Sequence, residues 1–114
     1  MQSRPADATG DSIKGTESAA QLGETAARLV QVLKELVTEF ESPPLLADIG
    51  VSATTLAASV RAAAINIAVD LHLAGNVAAA QDGLFDTLDA LDAVANELEI
   101  IANEMRTTLD PRTL

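Results

Sequence analysis

His72 is the only imidazole in this chain of 114 residues, and there is no cysteine. As a general base or nucleophile, His72 would need an orienting acid and a substrate pocket. As a metal ligand it would need companions, and no second imidazole or thiolate can supply them. Thiol nucleophiles, thiolate metal sites and disulfide scaffolds are excluded. The Glu-x-x-His pattern of ferritin-like di-iron proteins is missing. Histidine phosphotransfer domains are also small acidic helical proteins, but in them a basic residue and then a glycine follow the histidine. Here His72-Leu73-Ala74-Gly75 has no basic residue to hold a phosphoryl group. His72 is therefore read as a structural or surface residue.

The carboxylates are the other chemical resource. Between Ala62 and Met105 there is no Lys or Arg but there are eight carboxylates: Asp70, Asp82, Asp86, Asp89, Asp92, Glu97, Glu99 and Glu104. Asp82, Asp86, Asp89 and Asp92 step by four, three and three, so they share roughly one helix face. That stripe offers a docking surface for a basic protein partner or a loose cation site; the plainer reading is a solvated face. A dedicated calcium loop needs short-range alternation around a turn glycine, which is absent, and carboxylates along a straight helix converge poorly on one ion. No catalytic, cofactor-binding or metal-ligating set can be assembled, so the chain is read as non-enzymatic, with no cofactor. Arg61, Asn66 and Asp70 interrupt an otherwise apolar stretch. Asn66 and Asp70, four apart, can share a face that Arg61 lies off. They form either a buried polar network fixing helix register or oligomer order, or an edge facing water.

Composition narrows the partners. The net charge is −10, and the seven Lys and Arg are scattered, so nothing clusters to neutralise a phosphate backbone or an anionic lipid surface. Nucleic acid is not an expected partner. Hydrophobic residues make up 48% of the chain, with two Phe and no Trp or Tyr, so the core must be aliphatic and its helices must approach closely. The N-terminal segment has no apolar run of the kind a Sec signal peptide carries. Cytoplasmic localisation is expected, with leaderless secretion the alternative. The most apolar window, residues 62–80, contains Asn66, Asp70, His72 and Asn76. Such groups are costly inside lipid, so no membrane insertion is expected.

The elements that must carry these residues are helices. Residues 1–15 are polar, contain Pro5, Gly10 and Gly15, and read as a disordered tail. Thr16 or Ser18 with Gln21 would cap a first helix running to about Glu41, with a seam of Leu22, Ala26, Leu29, Leu33, Leu36 and Phe40, widened by Val30 and Val37. Pro43-Pro44 stops it. Leu45–Ile49 is expected as a short turn lidding the end, with Gly50 breaking it and Ser52 capping a second long helix. That helix bears one stripe of Leu56, Val60, Ala63, Ile67 and Leu71, and a second of Ala64, Ile65, Ala68 and Val69. It ends at either Gly75-Asn76 or Asp82-Gly83; Asp82 as the next cap is preferred, because it gives three helices of similar length. A third helix follows to about Leu109, with seam Leu84, Leu88, Leu91, Ala95, Leu98, Ala102, Met105 and Leu109, flanked by Phe85, Val94 and Ile101. No strand pattern is present.

The stretch RAAAINIA at 61–68, with Glu97-Leu98-Glu99, slightly resembles the four-helix-bundle proteins encoded in ribosomal-RNA intervening sequences, although the spacing differs and those proteins tend to be basic. In size and alanine content the chain is similar to small helical substrates of type VII secretion, whose Trp-x-Gly turn cannot exist here. Neither resemblance carries a function over.

The expected fold is all-α: an antiparallel three- to four-helix bundle over residues 16–109, with residues 110–114 as a C-terminal tail, completed by homo-oligomerisation through Ile65, Ala68 and Val69. The expected function is a non-enzymatic interaction, scaffold or accessory-subunit module. Asp82, Asp86, Asp89 and Asp92 are its candidate partner-binding residues. The alternative is an acidic inhibitor or nucleic-acid mimic that occupies a basic groove.

Overall fold

The computed structural model describes residues 5–74 and 78–113, with side chains described over 17–73 and 83–113. The described chain is all-helical: α1 (Pro5–Glu39), α2 (Pro43–Ala74), α3 (Ala78–Leu109) and one 3-10 turn, Pro111–Thr113, with no strand among the described residues. The three long helices lie side by side, up-down-up, in a molecule of 58 × 25 × 23 Å. The antiparallel course of α2 and α3 is fixed by contacts near both ends: Gly50 lies against Met105, and Arg61 reaches Asp92 and Glu99. α2 and α3 share the largest interface, and α1 packs less extensively on both.

Several boundaries differ from the sequence expectation. α1 starts at Pro5 rather than at the Thr16 or Ser18 caps; proline suits the first helical position, where its missing N–H needs no partner. The same logic works at Pro43-Pro44. These prolines do end α1, but they also open α2. The Ser42 carbonyl accepts from the N–H groups of Leu45 and Leu46 at 3.1 and 3.0 Å, and the prolines fill the first turn, where N–H groups would be orphaned. The expected short turn at Leu45–Ile49, the break at Gly50 and the cap at Ser52 are therefore corrected to one continuous α2 of 32 residues. α2 ends at Ala74, so the preferred end at Asp82 is also corrected: Asp82 lies within α3, not before it. Gly75 and Asn76, the other candidate stop, lie outside the described residues.

The core runs the length of the molecule and is made of small and branched aliphatics. α1 contributes Ala19, Ala26, Val30 and Leu33; α2 contributes Leu46, Ile49, Ala53, Ala57, Val60, Ala64 and Ile67; α3 contributes Leu84, Leu91, Ala95, Leu98, Ile101 and Met105. The α3 seam is the one the periodicity predicts, with Ile101 brought fully inside. On α1 the buried line runs Ala19, Gly23, Ala26, Val30, Leu33, with Val37 half-buried. The expected stripe shares Ala26, Leu33 and its widening positions Val30 and Val37 with it, whereas Leu29 and Phe40 are exposed. The reason is steric. A Cβ on Gly23 would sit 3.2 Å from a Leu91 methyl, so the glycine-alanine side of α1 is the side that approaches α3 closely. No polar or charged residue is buried among the described side chains.

Candidate interaction face

α2 carries two apolar seams, on opposite sides. The inner one, Ile49, Ala53, Val60, Ala64 and Ile67, fills the core. The outer one runs Val51, Thr55, Ala58, Ala62, Ile65, Val69 and Leu73, spaced four, three, four, three, four and four. That is the repeat by which a helix keeps one stripe facing a neighbour. Every residue of the outer seam is exposed, with Val51, Ile65, Val69 and Leu73 between 49% and 76% accessible. None of the seven is charged. The hydroxyl of Thr55 donates to the Val51 carbonyl at 2.9 Å and that of Thr54 to the Gly50 carbonyl at 2.9 Å. These donors are satisfied within the helix and ask nothing of a neighbour. The predicted interface residues Ile65, Ala68 and Val69 are all exposed, Ile65 and Val69 on the outer seam and Ala68 beside it, whereas Ala64 of the same predicted stripe is buried.

Two shallow grooves flank the N-terminal half of this seam. Between α1 and α2 a groove of about 510 Å³ is lined by Leu29, Val32, Leu33, Val51, Thr55 and Leu56, among others, with no charged residue. Between α2 and α3 a groove of about 340 Å³ is lined chiefly by Ala47, Gly50, Val51, Ala102, Met105 and Leu109, with Arg106 at its edge. Val51 and Thr55 belong to both grooves and form the ridge between them. Leu29 and Val32, which the α1 seam leaves half outside the core, thus extend the apolar face of α2. α2 is also the one described helix that is long and apolar enough to cross a membrane by length and composition. Only 22% of its most apolar 18-residue stretch is buried in the packed molecule.

The polar groups of the middle of the molecule converge on Arg61. Its Nε and one terminal nitrogen donate to the two Glu99 oxygens at 3.1 and 3.2 Å. Asp92 accepts at 3.2 Å and the Asn96 side-chain oxygen at 2.7 Å. Asp92, Asn96 and Glu99, four and three apart, form the edge of α3 that faces α2. The Arg61 guanidinium, through the hydrogen bond first and its charge second, holds the Glu99 carboxyl below its ordinary value. Glu99 in turn raises that of Arg61. The cluster is half-exposed and links two helices in register. A buried network is therefore not what Arg61, Asn66 and Asp70 form: Asn66 is exposed, Asp70 is half-exposed, and Arg61 reaches α3 instead.

The acidic stripe is divided by this arrangement. Asp92 is engaged by Arg61. Asp86 and Asp89 are exposed on the outer side of α3 with Glu97 and Glu104, and none of these four is ion-paired among the described residues. The side chain of Asp82 lies outside the described residues. His72 is exposed. No group of three His, Asp or Glu side chains poised to hold a metal occurs among the described residues.

At the C-terminal end Asp110 ties a small knot. Its carboxylate accepts from the backbone N–H and guanidinium of Arg112, at 3.0 Å and 2.6–3.2 Å, and from Arg106 at 2.8 Å. Arg112 first and Arg106 second hold this carboxyl far below the usual carboxylate range. The Thr113 hydroxyl donates to the carbonyls of Thr107 and Asp110 at 2.7 and 2.8 Å, closing the end of α3, whose last carbonyls would otherwise lack donors. Residues 110–114 read in the sequence as a C-terminal tail; Asp-Pro-Arg-Thr after a helix end is a local capping pattern.

No protein-family model matches the chain, and no curated protein or solved structure matches it either.

Proposed function

We propose that this chain is a non-enzymatic interaction module that associates with itself through the outer face of α2, so that its three helices form part of a larger bundle. One observation carries the reading: seven successive seam positions of α2, Val51 to Leu73, are uncharged and exposed on the side opposite the core. Contiguous apolar surface of this extent is uncommon on monomers and typical of interfaces. The grooves that flank it are apolar and open, and suit a packed helix better than a small polar substrate.

The test is sedimentation of the full chain at micromolar concentration. A species of about twice 11.8 kDa is expected for the wild type, and a monomer for Val69→Asp, with unchanged helical content. A monomeric wild type rejects self-association.

The exposed carboxylates Asp86, Asp89, Glu97 and Glu104 favour a second reading, an inhibitor or nucleic-acid mimic seated in a basic groove. It differs in a measurable way: such binding weakens steeply with salt, whereas association through the α2 face does not.

A further inference from the structure

The groove between α2 and α3 is apolar along its length and ends on a cation. Small residues, Ala47, Gly50 and Ala102, alternate in its lining with the larger Val51, Met105 and Leu109. Its two hydroxyls are turned back on their own helix, Thr54 to the Gly50 carbonyl and Thr55 to the Val51 carbonyl. Arg106 is the one charged residue of the lining. One of its terminal nitrogens donates to Asp110 at 2.8 Å; its Nε and other terminal nitrogen have no partner among the described residues. An adjoining open hollow shares Arg106 and Leu109 with the groove and adds Asp110, Pro111 and Arg112. There two guanidiniums outnumber the single carboxylate they share.

We infer that this groove binds a fatty acid, with the carboxylate on the free donors of Arg106 and the alkyl chain lying over Gly50 and Val51 toward Thr54 and Ala102. The site goes beyond self-association and does not depend on it.

The chemistry of the lining selects this ligand. A guanidinium fork matches a carboxylate, and such charge-assisted pairs are the stronger hydrogen bonds. The apolar lining rewards an alkyl chain by removing it from water. A sugar or nucleotide would instead press unpaired polar groups against it. The dimensions agree. Gly50 lies level with Met105, so in the antiparallel pair Arg106 and Leu109 sit toward the Pro43 end and Ala102 toward the middle of the molecule. From Ala47 to Thr55 α2 rises about 12 Å, the length of an extended chain of roughly ten carbons. The groove volume of about 340 Å³ is at the low end of small-molecule sites, about 300–1,000 Å³. The groove between α1 and α2 is an internal control, because it is apolar too but has no charged residue in its lining.

The test is calorimetric titration of the full chain with dodecanoate below its micellar concentration, and separately with dodecyltrimethylammonium, which has the same tail and the opposite head. Adsorption governed by the net charge of −10 favours the cation; the Arg106 site favours the anion. The expected result is saturable binding of one dodecanoate per chain, tighter than that of the ammonium. Arg106→Gln should weaken it about tenfold, the equivalent of one charged hydrogen bond, and Arg106→Lys should keep the preference for the anion. Thr54→Phe obstructs this groove and should weaken binding, whereas Ser59→Phe, in the α1–α2 groove alone, should not. Each variant is checked for wild-type helical content. Tighter binding of the ammonium, or dodecanoate binding indifferent to Arg106→Gln, overturns the site in favour of adsorption on exposed apolar surface. Loss with Ser59→Phe but not with Thr54→Phe places the ligand in the other groove and overturns it as well. No saturable binding of dodecanoate to the wild type overturns the proposal outright. Self-association is read separately, by sedimentation of the ligand-free chain, so either reading can fail while the other stands.

Discussion

Leu98 is fully buried at the middle of α3, and truncating it removes methyl groups the surrounding helices cannot replace. Leu98→Ala is expected to cost about 2–5 kcal/mol by denaturant unfolding. Leu33→Ala should fall at the lower end of that range, because Leu33 retains 9% accessibility. Arg61 acts differently. Glu99 has a lowered folded-state pKa, so its contribution to stability is fully present above the ordinary carboxylate range. That contribution is lost as pH falls through the lower folded value. Arg61→Gln removes the cause. Thermal melts from pH 7 to pH 3 should therefore show a smaller acid-linked loss in the variant, and 1 M salt should narrow the difference at pH 7. An identical pH dependence in the two proteins would mean that the clasp does not form in solution. The α3 positions were legible in the sequence because leucines mark them. The clasp was not, because Arg61 and Glu99 lie 38 residues apart and no local spacing links them.

Among the elements, two glycines inside helices make opposite predictions. A Cβ on Gly83 would meet nothing within 4 Å, whereas a Cβ on Gly50 would lie 3.1 Å from the Cβ of Met105. Gly83→Ala should raise stability by about 1 kcal/mol, the helix-propensity difference. Gly50→Ala should lower the melting temperature, because Met105 Cβ is fixed to its backbone and α2 and α3 must part to admit the methyl. Both glycines read in sequence as helix breakers. At Gly50 the residue instead permits a close helix approach, which composition alone cannot distinguish from a break. The α1 seam was misjudged for a related reason: Ala19, Gly23 and Ala26 carry little apolar weight, so Leu29 and Phe40 drew the stripe toward the flank. α1 has the smaller interfaces with its neighbours. Native-state hydrogen exchange should therefore show its amides opening before those of α2 and α3, in a step below global unfolding. Equal protection across all three helices would contradict that order.

At the scale of the whole molecule, surface chemistry is segregated. The outer side of α3 carries exposed carboxylates, and the seven positions of the outer α2 seam carry none. The doubled apolar character of α2 was evident from its two stripes, whereas the grooves beside it depended on where α1 and α3 pack and could not be read from α2 alone. If two copies cover the α2 face, stability becomes a function of concentration: the melting temperature should rise with protein concentration and stay flat for Val69→Asp. The segregation also has a colloidal consequence. At neutral pH the α3 carboxylates surround any assembly with like charge and hold separate assemblies apart. Near the isoelectric point of about 4.2 that repulsion vanishes while the uncharged face is unaltered. Mild acidification then turns a self-limiting particle into one with nothing to keep its neighbours at a distance.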